Sequence, residues 1–364
     1  MKFRWNPRRA RGAIRPTAES PEDVPRDNSK SGRSAPFHGL ARGFTRKIQN
    51  LKSKIQNPLP FALLAITFPW SAPTIPPKGS VMVLIQPAYP ETPPQGYVVE
   101  LPDDPGPPDD WRSSEQASPK RKGNAGLDTL RASGSAQFSL QQSYGLQKLL
   151  LGRNVVIVDL CQEPHTFLDG AAISWGPSDL VGTNRSADTV MAAERAWTHH
   201  ADAAKFITVA EYAPYRYIDT KTWQPIGLQL DVREAETEDR LAAAAGWGYF
   251  RIAAPDNVLP RDADLDRFVA FVHELQDNEW LHFHCDTGGY RTTMYLTLYD
   301  MMRSYSLASR DQIIARERLL SSYDLLAGSA KRPVGDFLAR FFNYCWQCGP
   351  HFGRSWSSWS RANP

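Results

Sequence analysis

Cysteine is scarce in this sequence, with four residues in 364. Four are too few for a disulfide framework, and their spacing does not supply the ligands of a structural metal. A membrane-spanning run is missing as well: the apolar stretch from Pro60 to Trp70 is well short of the ~20 residues needed to cross a bilayer. No GxxxxGK[ST] nucleotide loop occurs, and the basic residues are not interleaved with aromatics. Stable membrane insertion and nucleic-acid binding are therefore not expected.

Charge is unevenly placed. Residues 1–57 carry 14 Lys and Arg against 4 Asp and Glu, whereas the rest of the chain carries 28 against 35. With its Arg, Pro and Ser and no apolar periodicity, 1–57 reads as a basic disordered tail. Residues 58–73 have the length of a secretory h-region, with Lys52 and Lys54 as the basic flank and Ser71-Ala72 as small residues. Their position, some fifty residues in, suits export if translation starts near Leu51; the alternative is a cytoplasmic protein with a short apolar segment in its tail. Residues 74–131, dense in Pro, Gly, Asp and Ser, read as a linker. Hydrophobic residues make up 41% of the chain, enough for a substantial core in the remainder.

The chemistry concentrates in Trp280 to Tyr299, around Cys285-Asp286-Thr287-Gly288-Gly289-Tyr290-Arg291. Five residues between cysteine and arginine allow a closed loop whose backbone N–H groups converge on one tetrahedral anion. Trp280 to His284 read as a buried strand, and Tyr295, Leu298, Tyr299 and Met302 share one helical face, so Arg291 opens a helix. A phosphate in the loop would meet the positive end of that helix, with the guanidinium of Arg291 gripping two oxygens. The same field favours a thiolate, making Cys285 a nucleophile. Thr292 can donate its hydroxyl to the sulfur, and Asp286, Thr287, Gly288, Gly289 and Tyr290 form the cradle.

These residues resemble the HC-x5-R-[ST] motif of cysteine-dependent phosphatases, and more narrowly the protein-tyrosine-phosphatase-like phytases. The narrower likeness is carried by VVIVDLCQEPHTFLDG at 155–170 with Ile173-Ser174-Trp175, by Ala192-Ala193-Glu194-Arg195, by YFRIAA at 249–254, and by Trp356-Ser357-Ser358-Trp359. It extends over about residues 132–364. The resemblance implies a phosphatase of inositol polyphosphates that forms a phosphocysteine without metal or cofactor. Asp256 would be the general acid that protonates the leaving oxygen. His284 is expected to orient the loop by hydrogen bonds to backbone. Asp159, Glu163 and His165 follow the first strand, where the family's substrate-facing loop lies, and each can equally be structural.

Three departures stand out. Cys161 replaces an arginine expected near the substrate, Tyr290 occupies a place usually held by glycine, and Asp256-Asn257 replaces Asp-His. Cys161 is either a neutral substitute or a partner for Cys285 in a protective disulfide. Together with the acidic Asp286 it lowers the positive field, which keeps a phosphotyrosine or phosphoinositide phosphatase open as an alternative. A phosphate-binding pseudoenzyme distorted by Tyr290 is a third reading.

The expected fold is α/β, a phosphatase core with a central mixed sheet flanked by helices over 132–364, plus a small β-rich subdomain at about 204–233. Helices are expected at 139–151, 187–197 after Ser186, 238–245 after Thr237, around Leu265 to Leu275, and from the capping pair Ser309 and Gln312 to Leu320. Cys345 and Cys348 continue the apolar stripe of Val334, Phe337, Leu338 and Phe341, which favours structural thiols over a redox pair.

Overall fold

The computed structural model describes residues 96–100, 106–117, 123–175, 185–211, 227–321, 323–327 and 331–364, with Pro93 and Lys120. The basic tail, the apolar segment 58–73, the start of the 74–131 segment and residues 212–226 of the expected subdomain lie outside the described residues. Among the described residues no helix is long and apolar enough to cross a membrane.

The described chain opens with strand β1 (Gly96–Glu100), the two-residue strand β2 (Arg112–Ser113) and helix α1 (Leu127–Leu130), followed by β3 (Ala132–Ala136). The linker expectation for 74–131 is thus corrected: folded structure reaches back at least to Gly96. Val98, Arg112, Leu127 and Leu130 are all buried, but they are too widely spaced among Pro, Gly and Asp to show a period.

Helix α2 (Leu140–Leu149) begins at Ser139 in a reciprocal capping box with Gln142, and leads into β4 (Asn154–Cys161). Next come β5 (His165–Leu168), β6 (Ala171–Trp175), α3 (Ala187–Ala204), β7 (Phe206–Glu211), β8 (Gly227–Asp231) and β9 (Ala235–Glu236). Helix α4 (Glu238–Ala244) does start after Thr237, but that hydroxyl donates to Asp239 instead of capping the helix. Strand β10 (Gly248–Ala254), helix α5 (Asp262–Glu274) and strand β11 (Glu279–Cys285) precede four helices, α6 (Tyr290–Ser304), α7 (Arg310–Ser321), α8 (Lys331–Cys348) and α9 (Trp356–Ala362). The stripe on α8 is buried through Cys345, and all four cysteines are free thiols.

Two mixed sheets result. The first has the order β10-β4-β11-β3-β2, parallel throughout except for the edge strand β2. Val156, Val158, Leu160, Leu281 and Phe283 bury one face of it in the main core with α5, α6 and α8. Val155, Ile157 and Trp280 bury the other face with Phe138, Leu146 and Phe167. Burial on both faces explains the unbroken apolar run of β4. The second sheet, β8-β7-β1-β6-β5-β9, is larger than the subdomain expected at 204–233, because β1, β5, β6 and β9 join β7 and β8.

Charges buried between these layers tie them together. Arg251 on β10 lies 2.5 Å from Asp159 Oδ2 on β4 and 2.8 Å from Glu194 Oε1 on α3, and it donates to the carbonyls of Cys161 and Glu163. Tyr249 donates to the same Asp159 oxygen at 2.6 Å. Burial raises the Asp159 carboxyl, but Arg251, His165 and His284 together outweigh it and hold the group below its ordinary range. Replacing Arg251 with Met would leave buried carboxylates unpaired. Chemical denaturation should register a loss of about 3–5 kcal/mol, against roughly 1 kcal/mol or less for Arg195→Ala in the exposed Arg195–Asp239 pair.

Candidate active site

Strand β11 sits between β3 and β4, with His284 opposite both Ser135 and Asp159 and Cys285 opposite Ala136. The nucleophile candidate therefore leaves the sheet at the carboxyl ends of three parallel strands, where ligands of such sheets gather. The loop that follows is clamped to its surroundings. Gln137 N donates to Asp286 O at 3.1 Å, Arg112 donates to Gly288 O at 2.8 Å, and Thr293 N donates to Gly289 O at 3.0 Å as α6 begins. Gly288 has φ 70°, and a Cβ there would come within 2.7 Å of Ala136 N, so this turn requires glycine.

Cys285 is 1% exposed, and Thr292 Oγ1 lies 3.1 Å from its sulfur. The same hydroxyl is 3.4 Å from Ser135 O, so its single proton can serve either acceptor. Thr287 is exposed at the crest of the loop. Tyr290 does not crowd the cradle: its ring is buried in the main core and meets Tyr323 edge-on at 6.3 Å.

Arg291 is 3% exposed and lies between two carboxylates. Its Nη1 donates to Glu163 Oε2 at 2.7 Å, and its Nε is 3.5 Å from Asp256 Oδ1. Burial would raise the Glu163 carboxyl, but the charge and hydrogen bond of Arg291 hold it below its ordinary range. Asp256 follows β10 on a partly exposed loop, and Asn257, at φ 56°, donates to its Oδ2 at 2.7 Å. Asp286 is pushed up to about 6, by burial first and then by Glu163 and Asp256.

Other expectations are corrected. His284 does not bond to backbone; its Nε2 lies 2.6 Å from Glu238 Oε1, without the alignment of a hydrogen bond, and its ring meets Phe138 edge-on. Asp159 and His165, for which a structural role was equally open, are buried in the charge network. His165 Nε2 is 2.9 Å from Glu238 Oε2; burial would lower the ring, yet Asp159 and Glu194 push it up to about 10. Cys161 is buried with its sulfur 3.8 Å from Gln137 Oε1, and burial, then Asp159, raise its thiol well above the ordinary range. Cys161 and Cys285 lie in the same buried core, at the ends of the adjacent parallel strands β4 and β11. Both are free thiols.

Sequence reasoning missed Arg112, Glu238 and Tyr323. Tyr323 stands beside Gly289, whose Cβ would meet its ring at 3.3 Å. Glu238 was read only as the start of a helix. The buried arginine in YFRIAA offered one usable signal, since a charge within an apolar strand requires a buried partner.

Residues 158–303 match the family model of the protein-tyrosine-phosphatase-like phytases, described by inositol hexakisphosphate. The structure resembles the protein-tyrosine-phosphatase-like myo-inositol phosphatase of Mitsuokella multacida, solved with myo-inositol-(1,3,4,5)-tetrakisphosphate. The TM-score is 0.63 at 27% identity, covering 76% of this chain and 50% of that one. Residues 158–303 are thus similar to the protein-tyrosine-phosphatase-like phytases. The fold of this phytase-like domain is also similar to a phytase of that type from Bdellovibrio bacteriovorus, with TM-score 0.57, 26% identity and coverage of 77% and 98%. A further relative is effector protein hopD2 of Pseudomonas syringae pv. tomato, 28% identical over 246 residues, which are 64% of this chain and 52% of that protein. The chain thus spans about half the length of hopD2 and of the Mitsuokella protein.

The phytase-like domain places Asp256 within reach of the cradle. Asp256→Asn should lower kcat for an alkyl phosphate by ~10²–10⁴-fold, with a much smaller effect on an ester whose leaving group needs no proton. Asp286 ionises as pH rises through about 6 and then opposes a phosphate dianion. KM should accordingly rise with pH across that value, and Asp286→Asn should flatten the rise.

Proposed function

We propose that this chain hydrolyses phosphomonoesters through a phosphocysteine, with myo-inositol polyphosphates as substrates. The observation that carries the reading is the convergence of Thr292 Oγ1 on Cys285 Sγ at 3.1 Å and of Asp256 on Arg291 at 3.5 Å, at the end of a strand that feeds a helix. The Cys285 thiolate attacks phosphorus, the P–O bond to the alcohol breaks, and the leaving oxygen takes its proton from Asp256. Water then attacks the phosphocysteine, giving a proton to the same carboxylate, and the P–S bond breaks to return thiolate and inorganic phosphate. Arg291 holds two phosphoryl oxygens throughout, and the cradle N–H groups stabilise the charge that gathers on them. The tetrakisphosphate bound by the Mitsuokella relative supports the inositol assignment.

A phosphotyrosine substrate is favoured by one set of observations. Glu163, Asp256 and Asp286 surround Arg291, and Tyr323 offers a ring beside Gly289. Phosphate release by the full chain, measured side by side on inositol hexakisphosphate and a phosphotyrosine peptide, separates the two. Faster turnover of the inositol ester is expected. Cys285→Ser should abolish release from either while retaining substrate binding, because the hydroxyl is a far weaker nucleophile in an unchanged cradle; full activity in that variant would overturn the covalent route.

A further inference from the structure

A trans peptide points its C=O and the following N–H in opposite directions. Whatever holds the carbonyl of residue 288 therefore sets the direction of the Gly289 N–H. That carbonyl accepts from Arg112 Nη2 at 2.8 Å. The same nitrogen is 3.2 Å from Thr293 Oγ1, and Arg112 Nη1 donates to Asp110 O at 3.0 Å. The arginine comes from edge strand β2, outside the 158–303 match and outside the CX5R motif, and it is 2% exposed.

The peptide it holds joins two glycines. With no Cβ on either side, rotation of this unit meets less steric resistance than at any other pair in the loop. Turned over, it would aim a carbonyl oxygen at the phosphate in place of an N–H. The neighbouring peptide is held in the same manner, since Gln137 N takes the carbonyl of Asp286 and so directs the Thr287 N–H the other way. Burying a guanidinium is costly, and burial does lower this one below its ordinary range. Glu317 is the largest opposing influence on Arg112, and Cys285 follows.

Resting on the phosphate-loop reading above, we propose that Arg112 is a positioning residue that locks the 288–289 peptide with its N–H turned into the phosphate cradle. It does not touch substrate; it acts through the Gly288 carbonyl. The unit that binds phosphate therefore includes the segment around residue 112.

Calorimetric binding of inorganic phosphate tests this without requiring turnover. Arg112→Gln should weaken phosphate binding roughly 10- to 100-fold, the range for one hydrogen bond to a charged group, with a thermal midpoint close to that of the unmodified protein. Thr293→Val removes only the second acceptor and should stay within about threefold. Equal losses in the two variants would mean that Arg112 acts through packing, and an unchanged affinity in folded Arg112→Gln would remove the lock outright. Should Arg112→Gln fail to fold, the Gly289 amide of the unmodified protein decides. Its proton resonance should move downfield when inorganic phosphate is added, and an unmoved resonance overturns the proposal. A protein that binds phosphate by this pattern yet releases none from any ester would refute the proposed hydrolysis and leave the lock standing.

Discussion

The parallel pairing of β11 with β3 on one side and β4 on the other is the constraint from which the rest of the site follows. A strand bonded on both edges cannot slide or turn, because a shift of one residue would exchange every side chain between faces. Phe283 fills the main core and His284 the opposite layer, so Cys285 leaves the sheet at one place and in one direction. The loop then needs only a few further contacts, and these come from the end of β3 and from β2.

Electrostatics around this frame are divided by depth. The inner layer is a closed set of charges, Asp159, Glu194, Glu238, Arg251 and His165, whose partners are protein groups. The outer layer is Arg291 with Glu163, Asp256 and Asp286. Carboxylates around one guanidinium hold it in place while limiting how much negative charge the site attracts. On the proposed reading, substrate preference rests on the outer layer, whereas the loop itself is aligned by Gln137 and Arg112.

Much of this was legible beforehand. The spacing of Cys285 and Arg291 and the helix behind them follow from local pattern, each written within about ten residues, whereas the acid after β10 came from the family resemblance. The capping box at Ser309 was equally local. What stayed hidden depends on distant partners. The bond from Arg112 to Gly288 joins residues 176 apart. His284 looked like a residue for its own loop because nothing nearby in sequence points to Glu238. Strand β1 was lost in a composition suited to linkers, because an edge-poor sequence can still pair when a ready sheet borders it on two sides.

The two adjacent glycines of the loop, similar as letters, are held to different standards by their neighbours. At position 288 an added methyl would strike backbone, at Ala136 N and Ser135 C, and backbone within a sheet cannot yield. At 289 the nearest obstacle is the Tyr323 ring, a side chain that can turn on its own bonds. Position 288 is thus closed to change for as long as β3 keeps its place, whereas 289 can drift together with Tyr323, and the pair of them is where this loop has room to diverge.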